Sequence, residues 1–186
     1  MNAKDLTKRD YLSNIIFITG GTKSGKSEFA EHLAKKENKL SYVALSENNL
    51  NDKEWQDKIS IHRKRRPNDW KIIETTDLLN TLIKEDGPLL IDSIGGFVME
   101  SIEKENNEWS KIMNSLISLL IKRKSITIIV GEQVGWSLVS EYKIGNIYIE
   151  RIGELQKRIT KISKDNWLAI NGRAIKIDEI SLEIPT

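Results

Sequence analysis

Gly20, Gly21, Thr22, Lys23, Ser24, Gly25, Lys26 and Ser27 spell G-x-x-x-x-G-K-S directly behind the apolar run Ile15, Ile16, Phe17 and Ile18. A buried strand in front and a helix behind, from Glu28 onward, is the setting in which this pattern binds phosphate. The glycines let the backbone curl so that N–H groups converge on an anion, and the helix adds the positive end of its dipole. Lys26 then reaches the β- and γ-phosphates, and the Ser27 hydroxyl suits Mg²⁺.

The rest of the chain is patterned to build a sheet around that loop. Apolar runs of strand length fall at 15–19, 40–45, 70–74, 89–92, 126–130, 167–170 and 174–177. Helical patterns lie between them at 26–37, 52–65, 77–85, 108–124 and 144–163. The last repeats apolar residues at Ile144, Ile147, Tyr148, Ile152, Leu155, Ile159 and Ile162, close to the helical period. Continuous rather than alternating apolar strands imply burial on both faces, the mark of a parallel sheet covered by helices. Asn171-Gly172 predicts a tight hairpin, so the sheet should end in an antiparallel edge. The expected fold is α/β, mostly parallel, with helices on both faces. Residues 1–14 read as a polar N-terminal extension and 15–186 as a single nucleotide-binding catalytic domain.

Composition narrows the function. A net charge of +2 over 186 residues gives no electrostatic case for nucleic acid or an anionic membrane. The absence of cysteine excludes disulfides, thiolate metal sites and a cysteine nucleophile. No apolar stretch approaches the roughly 20 residues of a membrane span, and the start lacks a signal-peptide core. A soluble, cytoplasmic protein is expected.

Several residues carry candidate chemistry. Asp92 ends the run Leu89-Leu90-Ile91 at the carboxyl end of a strand, where ligands of such sheets collect. It can meet Ser27 and hold Mg²⁺, or cap the following helix. In the stretch from Lys58 to Pro67, His62 follows Trp55 and Ile59 along one helical stripe, with Arg63, Lys64, Arg65 and Arg66 behind it. Crowded cations disfavour the imidazolium, leaving His62 neutral as a nucleophile or base, while the cations neutralise a polyphosphate. The same run also reads as a solvated helix face or a nucleic-acid patch. His32, within the first helix, reads as structural. Glu74 closes a strand where it can accept from a guanine edge or simply face water. The loop Gly131-Glu132-Gln133-Val134-Gly135 follows another strand and is a candidate substrate contact.

The order of these features resembles a known family. G-G-x-x-S-G-K-S is followed by Ala30-Glu31, Tyr42-Val43-Ala44, the segment I-x-x-H-R-x-x-R-P-x-x-W from Ile59 to Trp70, Leu89-Leu90-Ile91-Asp92, and Val134-Gly135 with Val139 and Glu141. This is similar to the bifunctional adenosylcobinamide kinase / adenosylcobinamide-phosphate guanylyltransferase family of cobalamin assembly. The likeness implies a RecA-like P-loop NTPase fold, often a homotrimer, acting on adenosylcobinamide or its phosphate with GTP (or ATP) and Mg²⁺. It implies that Lys26 and His62 are catalytic, with His62 carrying GMP. It also places Arg63 to Arg66 along the nucleotide, Ser46 near it and Glu74 near its base. Departures include Leu45 for the usual threonine, Lys58 for arginine, Glu100 for asparagine, and Glu132-Gln133 where Asn-Glu is usual. The alternatives are a catalytically degenerate nucleotide-binding homologue and an unrelated P-loop kinase of a small metabolite.

Overall fold

The computed structural model describes residues 13–45, 66–136 and 140–185. Seven strands form one sheet in the order β3-β2-β4-β5-β1-β6-β7. They are β1 (Ile15–Gly20), β2 (Ser41–Ala44), β3 (Lys71–Glu74), β4 (Leu89–Ile91), β5 (Thr127–Glu132), β6 (Asp165–Ile170) and β7 (Arg173–Lys176). All pairings are parallel except the last, in which β7 runs antiparallel to β6. The hairpin between them turns on Asn171 and Gly172, both at positive φ, as the Asn-Gly pair predicts.

Six helices lie among the described residues: α1 (Lys26–Ala34), α2 (Leu78–Lys84), α3 (Gly95–Glu100), α4 (Asn106–Lys122), α5 (Lys143–Ile162) and α6 (Ile177–Ile180). The sheet is covered on both faces, so successive residues of β1, β2, β4 and β5 are mostly both buried. Ile15, Phe17, Val43, Leu89, Ile91 and Ile129 pack under α2, α3, α4 and α5. Ile18, Tyr42, Leu90, Ile128 and Val130 pack with Ala30 and Ala34 of α1 on the opposite face. That two-sided burial is why the strands read as unbroken apolar runs.

Differences from the sequence reading are local. The first helix ends at Ala34 rather than near residue 37, and Ile177 opens α6 instead of closing β7. The six-residue α3 was not expected. The helical pattern at 52–65 lies outside the described residues, as does the polar N-terminal stretch except Ser13 and Asn14. Those two are tied down: Ser13 Oγ donates to the Ile162 carbonyl and Asn14 Nδ2 to that of Lys124.

Two buried arginines close helix ends. Arg123 donates to the carbonyls of Glu85 and Gly87 beyond α2, and Arg151 to those of Ser101, Ile102 and Lys104 beyond α3. Carbonyls at helix ends lack partners within the helix, and a guanidinium supplies several donors at once.

Candidate active site

β1 delivers Gly20 to the carboxyl edge of the sheet, where the chain curls into α1. Gly25 at the start of α1 has φ 94°, a conformation in which an L side chain is strained. Gly20 has no room for a side chain, because a Cβ there would run into the Ala169 carbonyl of β6. The loop is held from outside as well, by the Gly172 N–H donating to the Ser24 carbonyl at 3.0 Å. Lys26 bends back across the loop and donates from Nζ to the Gly21 carbonyl at 3.2 Å. Its ammonium is thus already over the cradle.

Ser27 and Asp92, 65 residues apart in sequence, meet: Ser27 Oγ donates to Asp92 Oδ1 at 3.3 Å. Tyr42 Oη donates to the other carboxylate oxygen at 2.9 Å. α3 starts at Gly95, and no side chain caps its first turn at Ile94. A hydroxyl beside a carboxylate is a hard-oxygen donor pair of the kind Mg²⁺ takes when phosphates and water complete its shell. The residues present fit that ion.

Glu132, at the end of β5 and in register with Gly20, faces the same edge. Ser93 Oγ donates to its Oε1, while Oε2 is buried without a hydrogen-bond partner. Burial pushes its carboxyl above the ordinary range, and nearby Asp92 adds to this; Ser93 and Lys26 pull the other way without cancelling it. The Tyr148 phenol beside it is pushed up to about 12, by burial first and by Glu132 second. Gly95 makes room for both, because a Cβ at that position would collide with Tyr148 Oη and both Glu132 carboxylate oxygens. Gln133 points elsewhere: its amide donates to Thr19 Oγ1 at 3.1 Å and Gln156 Oε1 at 3.3 Å. A cavity of about 360 Å³ opens beside that amide network, between α5 and the ends of β1 and β5.

Glu74 stands at the same carboxyl edge on β3, in register with Ala44. His32 lies exposed on α1. Arg66 is the one member of the basic run that is described: its guanidinium carbon lies 3.4 Å from the centre of the Tyr42 ring, and Nε lies 3.6 Å from Glu31 Oε1. His62, Ser46, Arg63, Lys64 and Arg65 lie outside the described residues, as does Val139. Sequence reasoning brought Ser27 and Asp92 together; it gave no role to Tyr42, Glu31, Ser93 or Tyr148.

This loop, its lysine and the Ser27–Asp92 pair, at the carboxyl edge of a mostly parallel sheet, define a P-loop nucleotide-binding protein of RecA-like fold. More narrowly, the chain belongs to the cobinamide kinase / cobinamide phosphate guanyltransferase (CobU) family, whose sequence model matches residues 16–177. The bifunctional adenosylcobalamin biosynthesis protein CobU of Escherichia coli (strain K12) is 26% identical over 181 residues, covering 88% of this chain and 99% of that protein. The protein of the same name from Salmonella typhimurium (strain LT2) matches with the same identity and coverage, 26% over 181 residues. The bifunctional protein CobP of Pseudomonas aeruginosa (strain PAO1) is 25% identical over 150 residues, 77% of this chain and 86% of its own length. Among solved structures, an ATPase of the type III secretion system of pathogenic bacteria superposes with a TM-score of 0.52 at 11% identity, over 83% of this chain and 50% of that one. A Pyrococcus horikoshii OT3 protein superposes with a TM-score of 0.53 at 8% identity, over 100% of this chain and 98% of that one. These two similarities concern the fold alone.

Proposed function

We propose that this chain is an adenosylcobinamide kinase and adenosylcobinamide-phosphate guanylyltransferase that carries GMP on His62. The supporting observation is the convergence of Lys26, Ser27, Asp92 and Glu132 on one edge, with Arg66 packed against the same cluster. His62 stands four positions before Arg66 in the sequence.

In the kinase half, the loop N–H groups and Lys26 hold the β- and γ-phosphates of GTP (or ATP). Ser27 and Asp92 hold Mg²⁺, which when bound neutralises charge on the phosphate oxygens. The acceptor hydroxyl attacks the γ-phosphorus, the bond to the β-phosphate oxygen breaks, and Glu132 takes the hydroxyl proton on its unpartnered oxygen. A carboxyl with a raised pKa is a better proton acceptor than an exposed glutamate. In the transferase half, a neutral His62 nitrogen attacks the α-phosphorus of GTP and pyrophosphate leaves. The phosphate of the acceptor then attacks the same phosphorus, the P–N bond breaks, and His62 is returned. Arg63, Lys64 and Arg65 neutralise the polyphosphate, Ser46 lies near it, and Glu74 accepts from the guanine edge.

Incubation with α-labelled GTP and Mg²⁺ should leave acid-labile, alkali-stable label on the protein, and His62→Ala should abolish it. Label that persists in the variant refutes the assignment. The altered Glu132-Gln133 loop motivates a second reading, a degenerate homologue, for which tight GTP binding with neither label nor consumption of adenosylcobinamide is the signature. Family membership sets aside an unrelated metabolite kinase.

A further inference from the structure

Arg66 is engaged by protein groups. Its side chain and that of Glu31 are only 8% and 6% exposed, and they face each other across 3.6 Å. Glu31 lies four residues beyond Ser27 on α1, on the same helix face. The guanidinium covers the ring of Tyr42, itself 3% exposed on β2 beside β4. The phenol at the far end of that ring donates to Asp92. A contiguous chain therefore runs Glu31–Arg66–Tyr42–Asp92–Ser27 and begins and ends on α1.

The direction of the central hydrogen bond is fixed. The Tyr42 phenol has one proton to give, and its Oη lies 2.9 Å from Asp92 Oδ2. An ionised carboxylate only accepts. A cation over the ring face draws on the π-electrons and makes the phenol a stronger donor. The terminal torsion of an aspartate is broad, and donors on both oxygens restrict it.

We propose that Tyr42 is a positioning residue that orients Asp92 for Mg²⁺, and that Arg66 and Glu31 brace Tyr42, Arg66 serving this brace and not a phosphate. The inference rests on Ser27 and Asp92 being the metal pair. It predicts that losing the phenol hydroxyl weakens metal binding and leaves the phosphate cradle alone.

The test is calorimetric titration of GTP in EDTA and across a Mg²⁺ series, with thermal unfolding to confirm that each variant is folded. Tyr42→Phe should bind metal-free GTP within about twofold of wild type and need about 10- to 100-fold more Mg²⁺ for the metal-linked gain, the range for loss of an outer-shell partner. The double variant Glu31→Gln/Arg66→Met, which removes both charges of this pair, should shift in the same direction with metal-free affinity intact. Loss of metal-free affinity in the double variant would make Arg66 a phosphate ligand and overturn the proposal. An unchanged Mg²⁺ requirement in Tyr42→Phe, with Asp92→Asn raising it, overturns the brace and leaves the metal pair standing. A wild type without any Mg²⁺-linked gain overturns both.

Discussion

Glu132 shows how much one register position matters. Glu132 ends β5 and meets Ser93, Gly95 and Tyr148, while Gln133, the next residue beyond the strand, joins Thr19 and Gln156. An acid one place later would sit in the amide network instead. Glu132→Gln should lower phosphorylation of adenosylcobinamide by about 10²-fold or more, the usual worth of a positioned base, with GTP binding retained. Stability should move the other way. A carboxyl whose folded pKa is raised favours the fold only while protonated, so its contribution is complete below the ordinary value of 4.5 and is lost as pH rises through the folded value. Thermal melts of Glu132→Gln and wild type should therefore coincide near pH 4, with the variant the more stable at pH 8. Of the residues at this site, the loop and Asp92 were legible because strand, motif and strand end are local features. Tyr42, Arg66 and Glu31 were not, because their meaning lies in contacts between distant parts of the chain.

At the scale of elements, the strands were legible because a sheet buried on both faces leaves unbroken apolar runs, and α5 because a long one-sided helix repeats its apolar residues. α3 escaped notice: six residues opening with two glycines make less than two turns, too few to show a period. Strand order was not legible either, because β1 sits between β5 and β6 through pairings that no local pattern announces. The arginine caps were hidden for a related reason, since their partners are backbone carbonyls with no side-chain signature. Arg123→Met should cost about 3 kcal/mol, in line with several lost charged hydrogen bonds to buried carbonyls. That corresponds to a fall in melting temperature of about 10 °C by calorimetry, without loss of GTP affinity at temperatures where the variant is folded.

For the whole molecule, the match of the family model to residues 16–177 establishes the family, and relatives at 26% identity cover 88% of the chain. No helix among the described residues is long and apolar enough to cross a membrane. The resemblance also carries a homotrimer, for which sedimentation equilibrium should give three times the chain mass. The proposed function turns on one covalent event, transfer of a nucleotidyl group from the loop-bound triphosphate to a specific imidazole. Site-resolved mass spectrometry after incubation with GTP and Mg²⁺ reads that event directly. A single GMP adduct is expected, located on His62, absent from Lys26→Ala and discharged by adenosylcobinamide phosphate. An unmodified chain, or an adduct on any other residue, would contradict it.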